Sequence, residues 1–335
     1  MATIDSQGRL HGKAGSVVYR VFRGTQVAQG PTKPFRQTRA SKESACEFGL
    51  ASTSARAIRQ AFSPIHHNRH DKGVVNRMNS VVYRAIRASS KERGGRDIHD
   101  AQLDLLEGFE FNVKSPFAKA LLVKPEVGLN EKGQVRVRIP EIDVKQDIRA
   151  TAFAQNREGG RYQIKFVLTG FNFREGFYEF IGIKEVLIPK PVTQRVPAQE
   201  LVFEGEVPKG CFLLLAASFA YQTKNEAEGY WENMNTEAFS PGAILAAFPA
   251  GDEAEKGYGA ARVSEANDLR ERGADGAAWP VVHKGKELLE KIKRLQGKKK
   301  QSKPEDEISP GGHEVSSDPP GTEGCGLTGK RMKLF

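Results

Sequence analysis

Between positions 74 and 87 the apolar residues Val74, Val75, Met78, Val81, Val82, Ala85 and Ile86 return at steps that keep them on one side of a 3.6-residue period. That spacing predicts an amphipathic helix. Upstream, Phe48, Ala51, Ala55, Ile58 and Phe62 repeat the pattern from an expected cap at Ser41 to a stop at Ser63-Pro64. Earlier still the period falls to two. Val17, Tyr19 and Val21 alternate with Val18, Arg20 and Phe22, and a second run at 25–28 follows Arg23-Gly24, which predicts a β-hairpin. Gly8, Gly12 and Gly15 precede it as turn formers, and Gly30-Pro31 closes it.

Beyond the helical region come seven short runs rich in apolar and aromatic residues, at 109–113, 135–139, 148–154, 162–168, 177–183, 201–207 and 212–221. Strands at that spacing predict an antiparallel β-sandwich, broadly immunoglobulin-like. No helical stretch between them is long enough for the crossovers of a doubly wound nucleotide-binding sheet. Gly251 to Gly276 is polar and glycine-rich and reads as linker. A short basic helix is expected at 286–295, with Leu288, Leu289, Ile292 and Leu295 on one face and Lys298-Lys299-Lys300 after it. Past Gln301, Pro304, Pro310, Pro319 and Pro320 among acids, serines and glycines predict disorder. The expected fold class is α+β in three parts: a basic hairpin-and-helix module at 1–100, the sandwich at 101–248, and linker, short helix and tail at 249–335.

One octapeptide is written nearly twice, as Ser-Val-Val-Tyr-Arg-Val-Phe-Arg at 16–23 and Ser-Val-Val-Tyr-Arg-Ala-Ile-Arg at 80–87. Its context makes the first copy a strand and the second a helix. Arg20 and Arg23 then go to opposite sheet faces, whereas Arg84 and Arg87 share one helical side.

Charge separates the parts further. Residues 1–100 hold 18 Lys and Arg against 7 Asp and Glu, residues 101–250 hold 17 against 19, and the remainder 16 against 15, so nearly all of the net +10 lies at one end. Thirteen of those first 18 cations are arginine, whose planar fork suits phosphate and carboxylate. With the apolar side of the 74–87 helix facing inward, Arg77, Arg84, Arg87 and Lys91 form a cationic stripe at spacings of seven, three and four, with Asn76, Asn79 and Tyr83 nearby. This stripe is the candidate anion-binding or nucleic-acid-binding site. A merely solvated helix face has the same sequence pattern.

Other chemistry is sparse. Cys46, Cys211 and Cys325 are far apart and suggest neither a disulfide framework nor a cysteine zinc site. The first residues lack the apolar core of a secretory signal, and the longest apolar run, from Cys211 to Tyr221, is too short to cross a bilayer; a soluble, cytoplasmic protein is expected. His66 and His70 stand at the i, i+4 spacing of zinc ligands, with His67 and Asp71 beside them, yet Pro64 and Gly73 favour a loop and no third ligand is specified. Gly324-Cys325-Gly326-Leu327-Thr328-Gly329-Lys330 imitates a phosphate-binding loop, but prolines precede it, and Arg331 stands where a Ser or Thr would reach Mg²⁺. No cofactor, metal or small-molecule substrate is implied.

The stretch Gly12-Lys13-Ala14-Gly15-Ser16-Val17-Val18-Tyr19, then Arg23-Gly24, then Thr38 leading into a helix with Phe48 that closes at Phe62-Ser63-Pro64, resembles a functionally uncharacterised family of Bacteroidota. The likeness covers about the first 65 residues well and the sandwich only in texture. It implies a Gly-Lys-x-Gly hairpin, helices and a sandwich-like region, and it brings no catalytic residues. The stretch beyond about residue 250 departs from the compact form of that family. The expectation is therefore a non-enzymatic interaction protein that engages nucleic acid or another acidic polymer. The alternative is a structural or assembly protein whose sandwich binds a partner or its own copy.

Overall fold

The computed structural model describes residues 2–22, 24–30, 37–156, 159–190, 195–225, 227–251, 257–273, 276–281 and six positions between 287 and 294. It opens with an antiparallel meander in the order β1 (Ala2–Ile4), β2 (Leu10–Ala14), β3 (Val17–Phe22) and β4 (Thr25–Gln29). The expected hairpin is its second half. Gly15 and Gly24 turn at positive φ, where a side chain would be strained. Asp5 pins the first turn by accepting from the amides of Gln7 and Arg9 and pairing with the His11 ring at 2.9 Å.

Three helices follow: α1 (Arg39–Ala61), α2 (Ser63–His66) and α3 (Val74–Arg87). The cap of α1 is Thr38 rather than Ser41; the Thr38 hydroxyl accepts from the Ser41 amide at 3.2 Å, so the helix starts about one turn before the expected cap. Pro64 sits in the first turn of α2, where its missing N–H costs nothing. In α3 the buried residues are Val74, Met78, Val82, Ala85 and Ile86; of the rest of the stripe read from the sequence, Val81 is half-buried and Val75 is exposed, at the stripe's edge.

The remaining elements are α4 (Phe117–Ala120), β5 (Glu126–Leu129), β6 (Val135–Ile139), α5 (Val144–Asp147), α6 (Ala152–Asn156), β7 (Arg161–Asn172), β8 (Phe177–Pro189), β9 (Gln199–Val202), β10 (Phe212–Lys224), β11 (Trp231–Asn233), β12 (Gly242–Phe248), α7 (Tyr258–Glu271) and β13 (Ala278–Pro280). One antiparallel sheet runs β11-β10-β7-β8-β13 with β12 also on β10; a smaller one runs β5-β6-β9. Two expected strands are not strands. The 109–113 run only brackets the edge of β12 through Glu110 opposite Ala243, and the 148–154 run passes into α6.

The fold is α+β with antiparallel sheets, and the immunoglobulin-like form of the expectation is not confirmed. Along β10, Phe212, Leu214 and Ala216 face the helices with Val167 and Phe171, while Leu213, Leu215, Ala217, Phe219 and Tyr221 face the small sheet with Val135, Val137, Ile139 and Phe203. The large sheet is thus covered on both sides, by helices on one and by β5-β6-β9 on the other. A sandwich with solvated outer faces would show alternation; the nearly unbroken apolar run 212–221 is what two-sided burial requires. The first core holds Ile58, Phe62, Met78 and Val82 together with Phe171, Phe212 and Ile244, on both sides of residue 100.

The stretch read as linker contains α7. Its Gly259 lies so close to the β7–β8 turn that a Cβ would sit 2.4 Å from the Glu175 carbonyl oxygen, and Arg262 makes a two-pronged pair with Glu179 at 2.6 and 2.8 Å. Farther on, Glu287, Leu288, Glu290, Lys291, Lys293 and Arg294 are helical, and Leu288 packs on Cys46 and Leu50 of α1. Leu289, Ile292, Leu295 and the phosphate-loop-like Gly324 to Lys330 lie outside the described residues. No helix among the described residues is long and apolar enough to cross a membrane.

Candidate nucleic-acid interface

Helices α1 and α3 pack side by side over the large sheet and leave an outer face in water. The Phe48 and Tyr83 rings meet edge to face at 5.7 Å, and Arg59 Nη1 reaches Asn79 Oδ1 at 3.5 Å, so residues of both helices share this face. Arg56 on α1 and Arg84 and Arg87 on α3 are exposed. The Arg87 guanidinium lies over the Tyr83 ring at 5.7 Å. No carboxylate among the described residues pairs with Arg56, Arg84 or Arg87 within 4.0 Å.

The predicted stripe does not survive whole. Arg77 turns into the protein, where it pairs with Asp71, donates to the Glu110 carbonyl at 2.8 Å and lies over the Phe109 ring at 5.0 Å. Burial alone would raise the Asp71 carboxyl, but the Val113 amide, the Arg77 guanidinium and the Gly73 amide together hold it below its usual range. Arg77 is therefore a brace between α3 and the 109–113 segment. Lys91 is paired with Asp100 at 2.9 Å. Arg84 and Arg87 remain available.

Sequence reasoning missed the α1 contribution. Arg56 and Arg59 occupy the polar side of the α1 pattern, and the packing of α1 on α3 brings Arg59 to Asn79. Arg59 is pulled below its ordinary value, first by burial and then by the charge of Arg56. Positive charge is crowded here, and among the described residues no carboxylate forms an ion pair with Arg56, Arg84 or Arg87. From Phe48 to Lys91 the chain carries eight Lys and Arg and one acid, Asp71, which Arg77 already binds.

The histidine cluster has another use. His66 is buried with both ring nitrogens engaged: one bonds the Arg59 carbonyl at 3.0 Å and the other accepts from the Asn68 amide at 3.0 Å. Burial is the main reason its pKa drops to about 4, so it is neutral and its lone pair is taken. No group of three or more metal-ligating side chains occurs among the described residues.

Two other recesses open on the surface. One, of about 260 Å³, is lined by His99, Asp100, Asn172, Arg174 and Glu175. Its charges answer one another: Arg174 grips Asp97 at 2.9 Å and Asp100 at 3.0 Å, tying the 97–100 turn to the β7–β8 connection. The other, of about 540 Å³, runs beside α3 between Ser80, Arg84, Leu105, Glu107 and Glu110. Glu107 accepts from the Ala247 amide and Glu110 from the Phe117 amide, so both carboxylates have structural partners. No family model, no curated protein and no solved structure matches the chain.

Proposed function

We propose that this chain is a non-enzymatic interaction protein that binds nucleic acid through the outer face of α1 and α3, with Arg56, Arg84 and Arg87 as the phosphate contacts. The observation that carries this reading is the charge balance of that face: its exposed guanidiniums have no carboxylate partner among the described residues, while the single acid between Phe48 and Lys91 is bound to Arg77. Arginine on a rigid helix is well suited to phosphate, because its fork bonds two oxygens at once. Placement with the Bacteroidota family that the opening resembles is part of the same reading, as is a cytoplasmic setting.

The test is a binding isotherm across salt. Three phosphate contacts on a strand give a slope of about −2 in log K against log salt, so affinity drops roughly 20-fold between 50 and 200 mM. Binding that is flat across that range would sink the proposal. A second reading, an assembly protein, is favoured by the β1–β4 meander, in which no described residue is fully buried. It calls for a stable oligomer free of nucleic acid in light scattering.

A further inference from the structure

The outer face of α1 and α3 is not uniformly polar. Phe48 keeps half of its surface in water, 50% exposed, although Leu50, Ile58 and Phe62 along the same stretch are buried. Its ring is held edge-on by Tyr83, and Tyr83 is backed by Arg87. Arg56 stands eight residues along α1 from Phe48, about 12 Å. Half of this ring is left to water beside Tyr83, with the Arg87 guanidinium on the Tyr83 ring.

The chemistry of the partner follows from that mixture. A duplex presents phosphates on its surface but keeps the flat faces of its bases stacked inside, so a purely cationic face would serve it. Unpaired nucleotides present phosphates and free base faces together, and exposed aromatic rings beside cations are how proteins hold them. A second copy of the chain fits poorly, since a two-fold contact would set Arg56, Arg84 and Arg87 against their own copies.

We infer, resting on the reading of this face as a nucleic-acid interface, that its ligand is single-stranded: a base stacks on Phe48, Tyr83 supports that ring, and Arg56, Arg84 and Arg87 take the flanking phosphates. The order of the contacts along the strand is aromatic centre and cationic flanks. Phe48 and Tyr83 supply preference for unpaired bases, and the arginines supply affinity for any backbone.

The experiment is fluorescence anisotropy with the full chain, using labelled dT20, labelled U20 and a 20-base-pair duplex at one salt concentration, with wild type, F48A, F48W and R84E/R87E. Single strands should bind more tightly than the duplex; F48A should weaken strand binding at least 5-fold while leaving the duplex unchanged, and F48W should restore it. R84E/R87E should weaken strand and duplex alike. Equal or tighter binding of the duplex, or a strand affinity untouched by F48A, overturns the single-strand inference while leaving the interface reading intact. Absence of binding to all three probes, or an F48A variant whose only change is loss of a dimer, overturns both. Circular dichroism of F48A checks that the exposed position has not altered the fold.

Discussion

Arg77 is bound to Asp71, although by sequence it belongs to the same cationic stripe as Arg84 and Arg87. The side chain of Asp71 is 8% exposed and also accepts from the Gly73 and Val113 amides, so this pair joins the start of α3 to the segment along β12. Removing either partner strands the other in a largely buried place. Arg77→Ala and Asp71→Ala should each cost about 3 kcal/mol in urea unfolding, and the double variant should cost clearly less than their sum. Additive losses would mean that the pair is not coupled.

Two buried groups should pull the pH dependence of stability in opposite directions and nearly offset each other between about pH 4.5 and 6.5. Burial lifts the Glu110 carboxyl to about 7, against the pull of the Phe117 amide and the Arg77 charge. A folded pKa above the unfolded value of about 4.5 means that the folded state keeps a proton which the unfolded chain releases, so stability drops as pH climbs between those values, by up to ~2 kcal/mol after solvent screening. His66 slopes the other way: its folded pKa of about 4 lies below the unfolded 6.5, so stability drops as pH falls through that window. Glu110→Gln should therefore uncover a loss of stability as pH falls below about 6.5, and His66→Gln a loss as pH rises above about 4.5, in unfolding curves taken from pH 4 to 8. Curves with the wild-type shape in both variants would assign the pH dependence elsewhere.

The Cys211 thiol should be inert in the native protein. It is buried with Phe177, Ala266 and Ala278 beneath α7 and β13, and burial, aided by Glu179, pushes its pKa up to about 12. Breaking the Arg262 pair with Glu179, or adding side-chain bulk at Gly259, should loosen that cover. Peptide-resolved labelling with a maleimide at pH 8 should find Cys211 protected in wild type and labelled in Arg262→Ala and Gly259→Val. Equal protection in all three would mean that α7 does not shield it.

What could be read in advance follows from the kind of contact involved. The two near-identical octapeptides take a strand in β3 and a helix in α3, because their neighbours set the period and the eight residues alone do not. Helix α7 was hidden because its fit depends on the small Gly259 and Ala266 and on an ion pair with Glu179, none of which makes an apolar stripe. The pairing of Lys91 with Asp100 and of Arg77 with Asp71 was hidden for a related reason: a helical wheel orients cations, while the turns that bring carboxylates to them are tertiary. The two-sided burial of β10 was legible in the run 212–221. An alternating pattern, which that run lacks, belongs to a sheet with one wet face.

Nucleic-acid binding by the exposed arginines of α1 and α3 is measured most directly by comparing wild type with the triple variant R56E/R84E/R87E in strand-binding isotherms, beside a control K184E/K209E that reverses one cation in β8 and one in the turn before β10. The triple variant should lose at least 100-fold in affinity at 50 mM salt and most of its salt slope, while the control keeps nearly all of both. Wild-type affinity and slope in the triple variant would contradict binding by these arginines.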